Sequence, residues 1–364
     1  MALTNFTNLT TEEKTVWSRD LWAAARNASF AMRFTGKGPN SMIQRITELT
    51  KSEKGDRAVI TLVADLEGDG VVGDYTMENN EEAIKAYDTV ITIDQLRNAN
   101  RLAGRMADQR SVVNFRNTSR DVLAYWLADR IDQMAFLTLS GITYGNTNNG
   151  GTRAVNPTGR NLTDLAFASD VTAASTARWR RWDVSTGLEA GNTAAVATAD
   201  LPSWPMLVEA KALMKDQYIR GIKGPGGAEY YHVFMSPQGI AQLKQDSDFL
   251  ANLRNAGPRG EGNPLFSGSM FTQDGLIIHE FRHVYTASNW GGASVEGQAV
   301  LFCGAQALAM ADIGLPYWDE ETFDYGNQHG ISIGKIFGLL KPVFNSIYSG
   351  SSEDFGVLRV DTAI

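Results

Sequence analysis

Apolar residues recur at helical spacing in two long stretches and at strand spacing in several shorter ones. Trp17, Leu21, Ala24, Ala28 and Met32 mark one face of an N-terminal helix. Thr10 and Glu13 supply a capping-box start, in which each side chain accepts the other's backbone N–H. After a break at Gly36-Lys37-Gly38-Pro39 the period shortens. Residues 57–66 read as a strand, 67–80 as a polar, glycine-rich excursion, and 88–93 as a further strand behind a short acidic helix. The best-marked helix is 119–140, whose buried face carries Leu123, Trp126, Leu127, Ile131 and Met134, with Gly141 placed to end it.

Residues 145–200 are rich in Asn, Gly, Thr and Ala, lack periodicity, and read as surface loops. From 203 the pattern is mixed. It predicts a helix over 204–219, a strand over 230–235, a helix opened by Ser236-Pro237 and a short helix over 247–255. Strands follow near 276–286, 298–303, 330–347 and 355–360. No repeat and no linker is visible, so the class is α+β with domains interleaved in sequence.

Composition narrows the function without naming it. The chain has 364 residues, 33 Lys+Arg against 41 Asp+Glu, and a net charge of −8. That balance gives no bulk attraction for nucleic acid or anionic lipid. Thirty-five glycines with only ten prolines favour bends and loops over rigid linkers. The lone Cys303 excludes an internal disulfide framework or a multi-cysteine metal site. The polar start reads as no signal peptide, so the sequons at Asn5, Asn8, Asn27, Asn117 and Asn161 are expected to be inert. The uncharged stretches 133–152 and 297–311 are too polar or too short to span a bilayer. The expectation is a soluble, non-secreted chain without cofactor or membrane contact.

Five strings imitate sites. His279-Glu280-Phe281-Arg282-His283 is H-E-x-x-H, the zinc-peptidase pattern, in which two histidines one helical turn apart grip the metal and the glutamate polarises a water. Its flanks, Leu276-Ile277-Ile278 and Val284-Tyr285-Thr286, favour a strand, where positions i and i+4 lie ~13 Å apart. Gly68-Asp69-Gly70-Val71-Val72-Gly73 matches G-x-G-x-x-G, yet Asp69 and Asp74 would repel phosphates. Asp65, Glu67, Asp69 and Gly70 half-resemble a calcium loop whose twelfth position is Thr76 rather than Glu. Gly330-Ile331-Ser332-Ile333-Gly334 matches the nucleophile elbow, but strand residues follow and the last histidine, His329, lies upstream. Arg178-Trp179-Arg180-Arg181-Trp182 concentrates cations and indoles, a composition suited to a protein interface.

Several segments together resemble the major capsid proteins of tailed bacteriophages with the HK97-like fold, in the branch of phages similar to N4. They are 43–49, 55–62, 68–82, 93–97, 105–111, Ser236-Pro237, Asn263-Pro264-Leu265-Phe266 and 274–280. The C-terminal stretches 324–330, 334–345 and 354–360 match most specifically. Met77-Glu78-Asn79-Asn80-Glu81-Glu82 stands where the family often has Leu-Glu-Gly-Asn-Glu-Glu.

The resemblance implies an N-terminal arm (1–40), an extended loop (55–90) lying over a neighbouring subunit, and a peripheral domain (41–54 and 91–200) with a spine helix at 119–140. It further implies an axial domain (201–315) and a C-terminal return (316–364). The implied function is a non-enzymatic shell protein of the virion, assembled in the host cytoplasm into pentamers and hexamers around double-stranded DNA. Portal, scaffolding and decoration proteins are the implied partners. Gly68, Asp69, Gly70, Gly73 and Asp74 of the loop, with Arg178, Trp179, Arg181 and Trp182, are the expected inter-subunit contacts. The rival readings are a zinc peptidase using His279, Glu280 and His283, and a decoration or tail protein.

Overall fold

The computed structural model describes residues 11–47, 55, 57–63, 68–83, 86–110, 114–157, 159, 161–256, 271–292, 294–345 and 350–364. The expected cap at Thr10, the calcium-like Asp65 and Glu67, and Asn263-Pro264-Leu265-Phe266 lie outside these residues.

A helix of 26 residues, Phe115–Ser140, organises the interior. It begins one turn before the predicted start because Asn114 caps it, its side chain accepting the Asn117 N–H at 3.2 Å. It ends at Gly141, whose φ of 69° is left-handed and whose Cα faces backbone of residues 172–174 too closely for any side chain. Leu123, Leu127, Ile131 and Met134 are fully buried, each contributing roughly 1.5–3 kcal/mol relative to exposure. The N-terminal helix Thr11–Ala28 packs against it. Beyond that helix, Asp132 accepts Ser29 Oγ (2.6 Å) and the N–H groups of Phe30 (2.8 Å) and Ala31 (3.0 Å). One carboxylate from the long helix therefore fixes where the N-terminal segment turns.

Two sheets flank this helix. In the nine-stranded sheet, Val295–Cys303 lies antiparallel between Glu229–Met235 and Val357–Ala363. Leu276–Glu280 extends it in parallel on one side, and Trp179–Asp183 followed by Gly187–Ala190 on the other. Alternation assigns the faces. Leu301 and Cys303 join the core that contains the long helix, while Val300 and Phe302 face the helix Trp204–Asp216 with its Met206, Leu207, Ala210 and Met214. In the six-stranded sheet, the 13-residue strand Gln328–Leu340 pairs with Leu308–Asp312 and Tyr317–Phe323 on one side and Asp94–Arg101 on the other. Ile43–Ile46 joins Leu308–Asp312 in parallel, with Thr35–Gly36 beyond it.

Two expectations need correction. Residues 145–200 are not all surface loop: Trp179–Asp183 and Gly187–Ala190 are strands of the large sheet, and Phe167 is wholly buried. Their polarity hid them: against Val357–Ala363 the side-chain ties are the Trp179 indole N–H to Asp361 and Arg359 over the Trp179 ring rather than an apolar stripe. The acidic helix expected before 88 does not form among the described residues, where 68–83 has only turns.

The interior contains charge. Lys335 sits in the row Ile331, Ile333, Phe337 and Leu339 that faces the core, and is itself fully buried. Its Nζ bonds Asp312 and the Gly314 carbonyl (2.9 Å) and lies 3.9 Å from the centre of the Trp22 ring. Arg45 reaches the same Asp312 at 2.7 Å. Burial pulls the Lys335 ammonium down from its ordinary value, and the Asp312 charge opposes that pull. Lys341 and Asp354 form a second buried pair at 2.9 Å.

Replacing Lys335 by Ala leaves Asp312 in the interior without this partner, and should cost about 3–5 kcal/mol of stability. Urea unfolding followed by tryptophan fluorescence reads this directly. Asp74→Ala at an exposed turn should stay within about 0.5 kcal/mol of the parent.

Candidate functional site

The strings that imitate enzyme sites come apart in three dimensions. His279 and Glu280 end a strand, and His283 follows in a turn. His279 is buried, its Nε2 2.9 Å from Nδ1 of His232 on the paired strand. His283 instead meets Asp129 of the long helix at 2.9 Å, and Glu280 is exposed. The three side chains of the motif therefore serve different neighbours. Among the described residues no group of three His, Cys, Asp or Glu is placed to hold a metal ion.

Ser332 lies in mid-strand with no helix behind it. The flanking glycines allow close cover instead. A Cβ on Gly330 would come 2.9 Å from the Phe323 ring, and one on Gly334 would come 2.8 Å from the Arg97 side chain. Neither string takes the geometry its pattern imitates: Ser332 lies in extended backbone, and the H-E-x-x-H string is split between the end of a strand at Glu280 and a turn holding His283, where a continuous strand was expected over 276–286.

Of the expected contact residues, the Arg-Trp string is corrected. Arg178 is buried and held by the Gln217 side chain (2.7 Å) and carbonyl (2.8 Å), with Glu353 at 3.3 Å. Trp182 is buried in the core under the helix Trp204–Asp216. Neither is available to a partner. Trp179 is half-buried and donates its indole N–H to Asp361 at 2.5 Å, while Arg181 pairs with Asp183 at 3.0 Å and with Glu189. Strand alternation turned a surface-like string into internal ties.

The expected loop residues lie on the surface of the protomer. Arg57–Val63 and Ala86–Thr92 pair as an antiparallel ribbon. At its base Ala58, Ile60 and Ile91 pack on Ile46, Ala309, Ala311, Leu340 and Phe344. Past the base, Gly68, Asp69, Gly70, Gly73 and Asp74 are all exposed. Gly70 (φ 73°) and Gly73 (φ 66°) take left-handed turns in open space, conformations costly for other residues. The Gly68 N–H donates to Glu82 Oε2 at 2.7 Å, closing the tip on itself. Val72, Tyr75 and Met77 are 77%, 82% and 57% exposed, far more than a tip needs for its own folding.

A second surface was not anticipated. Asp94–Arg101 alternates exposed and half-exposed residues along its length, with Arg97 and Arg101 on the exposed positions. The exposed arginines Arg105 and Arg110 bound the short helix that follows. The spacing of four arginines over fourteen residues was present in the sequence, but nothing there showed that the strand lies at an edge.

The aromatic cluster around the histidine pair carries a pH dependence. Phe30 and Phe34 of the N-terminal segment stand edge-on to His279, at 6.1 and 5.0 Å between ring centres. Desolvation lowers both His232 and His279 to about 4, with their mutual repulsion adding to it at His279. Both values lie below the ordinary 6.5, so between pH 6.5 and about 4 the unfolded chain binds protons that the folded chain does not. Stability is therefore full above pH 6.5 and falls as the pH drops toward 4. Urea midpoints at pH 7.5 and 4.5 should show that loss, and His232→Leu should shrink the difference by about half.

Comparison with known proteins gives a consistent family. The family model described as "Phage capsid protein" matches residues 5–364. A curated relative from Pseudomonas phage KPP25, described as "Major capsid protein", is 56% identical over 99% of this chain and 97% of its own. Among solved structures, the capsid of Ralstonia phage GP4 superposes with a TM-score of 0.74 at 28% identity, covering 92% of this chain and 90% of that one. The cyanophage Pam1 capsid asymmetric unit gives 0.71 at 19% identity, covering 91% of each chain, a likeness of fold.

Proposed function

The chain belongs to the phage capsid protein family, and from that premise we propose that it is a major capsid protein, self-assembling into the icosahedral head shell of a bacteriophage. The fold is HK97-like. The role is structural, and its working parts are surfaces. The observation that carries the reading is the ribbon Arg57–Thr92, whose base is anchored in the core while its tip displays three apolar side chains to solvent. In a shell, each contact repeats at every symmetry position, so individually modest interfaces yield a stable whole.

The division of the chain follows the same reading. Residues 1–40 form the arm, 55–90 the extended loop, and 41–54 with 91–200 the peripheral domain, whose spine is the helix Phe115–Ser140. Residues 201–315 supply most of the axial domain and 316–364 most of the return to the peripheral one, with two crossings of these bounds: Val357–Ala363 lies in the sheet of Glu229–Met235 and Val295–Cys303, and Leu308–Asp312 in that of Gln328–Leu340. The glycines at 70 and 73 let the loop adopt the slightly different bends that five-fold and six-fold settings demand. The subunits would form pentamers and hexamers in the host cytoplasm, with scaffolding, portal and decoration proteins as partners. The shell would enclose duplex DNA without sequence-specific contact, its net charge of −8 limiting adhesion.

Replacing residues 68–83 by a short Gly-Ser turn tests the reading. The variant should unfold within about 0.5 kcal/mol of the parent, yet sediment as small species where the parent forms rings or closed shells in electron micrographs. Shells from the variant would refute the loop's role, and a parent that stays monomeric under all assembly conditions would refute the capsid reading.

A further inference from the structure

The turn that follows the N-terminal helix rests on a pair of histidines. His232 and His279 stand on the paired strands Glu229–Met235 and Leu276–Glu280, with Nδ1 of the first 2.9 Å from Nε2 of the second. Over them lies the short 3₁₀ turn Ala31–Phe34. The Phe34 ring meets His232, His279 and Phe234 edge-on, at 5.0, 5.0 and 5.3 Å between ring centres. Phe30 stacks on Phe281 at 4.1 Å and meets Phe234 edge-on at 6.0 Å.

Two neutral imidazoles facing each other share one proton, one nitrogen donating and the other accepting. A first added proton places a charge beneath the phenyl rings. A second makes both facing nitrogens donors, so that N–H points at N–H across 2.9 Å. One side must then move. The strands are held by five register pairs with each other, and Glu229–Met235 is bonded to Val295–Cys303 as well. The overlying turn is held far less. Apart from its rings it is tied to the long helix by Asp132, which accepts the Phe30 and Ala31 N–H groups. Among the described residues the strand Thr35–Gly36 after it pairs only with Ile43 and Gln44.

We propose that residues 29–36 form an acid-released strap, which lifts from the histidine pair while the sheets and the long helix stay folded. This goes beyond the loss of overall stability in acid, because the opening is local, and it does not rest on the shell reading. The charges around the pair act in both directions. Arg33, 5.8 Å from the centre of the Phe30 ring, adds to the repulsion of a protonated pair. On the long helix, Asp129 is engaged by His283 and Arg282, and Glu280 is exposed to solvent at the end of its strand. Cys303, the register partner of His232, stays a neutral thiol because burial pushes it up. Burial also raises the Asp132 carboxyl, so its protonation favours the closed strap and offsets part of the effect. The two histidines, both drawn down to about 4, outnumber it. Opening therefore takes up protons between the ordinary histidine value of 6.5 and about 4.

Hydrogen exchange of the full chain, read by mass spectrometry and corrected for the intrinsic rate at each pH, tests the strap. From pH 7.5 to pH 4.5 the protection of residues 29–36 should fall at least about tenfold and recover on neutralisation. At pH 4.5 the helix Phe115–Ser140 should remain at least about a hundredfold better protected than the strap. The variant His232→Asn with His279→Gln sets amides in place of the facing nitrogens, which hydrogen-bond without titrating. Its strap should lose less than about twofold over the same range. If the double variant does not fold, His232→Leu replaces it and should make the parent's fall at least about threefold smaller. Unchanged protection of the parent strap at pH 4.5 would overturn the inference. So would strap and helix exchanging at one common rate, which is global unfolding, or a variant as acid-sensitive as the parent. Each of these results leaves the shell reading standing, because none of them measures assembly.

Discussion

The contact on which the protomer most depends is the buried pair of Lys335 and Asp312. It draws four distant stretches to one point: Asp312 on its strand, Lys335 in the long strand, Trp22 on the N-terminal helix and Arg45 beside them. Charges so deep are costly to desolvate, and the pair is tolerable only because the Gly314 carbonyl and the Trp22 ring complete the coordination of the ammonium. Hydrophobic alternation already opposes a one-residue slip, which would turn the whole apolar row outward. A buried charge adds opposition to a two-residue slip, which would keep Lys335 inward but carry it away from Asp312.

The same device recurs beside the large sheet. Lys341 with Asp354 and Arg178 with Glu353 and Gln217 connect segments near 178, 217, 341 and 353, and Arg359 with Asp361 adds a buried pair within the strand Val357–Ala363. Arg359 also reaches the Ser140 carbonyl at 2.8 Å, placing a cation at the C-terminal end of the long helix. With register held internally by these ties, the ribbon is anchored through the few apolar residues at its base. The proposed division of labour follows: the protomer's core is complete without the tip, and the tip is free to serve a neighbour.

Much of this was legible in the sequence where apolar spacing is the governing physics. The long helix, its glycine stop, the helix opened by Ser236-Pro237 and the C-terminal strands all followed from period and punctuation. Residues 179–190 did not, because their polar side chains, such as Arg181 paired with Asp183 and Glu189, look like a solvated surface when read linearly. Lys335 interrupts the alternation of Ile333 and Phe337, and no local pattern says where its counter-charge lies. For the candidate site, the glycine-rich loop could be read as projecting, since nothing in it could form a core. The edge position of Asp94–Arg101 depends on which strand pairs with which across more than 220 residues, and local sequence carries no record of that.

The central claim is that the hairpin tip belongs structurally to the neighbouring copy. Electron cryomicroscopy of shells assembled from the purified chain locates residues 68–83 directly. The account predicts density for the tip lying against an adjacent copy. Density folded back onto the tip's own protomer, or a tip extending into solvent in an otherwise ordered shell, would contradict it.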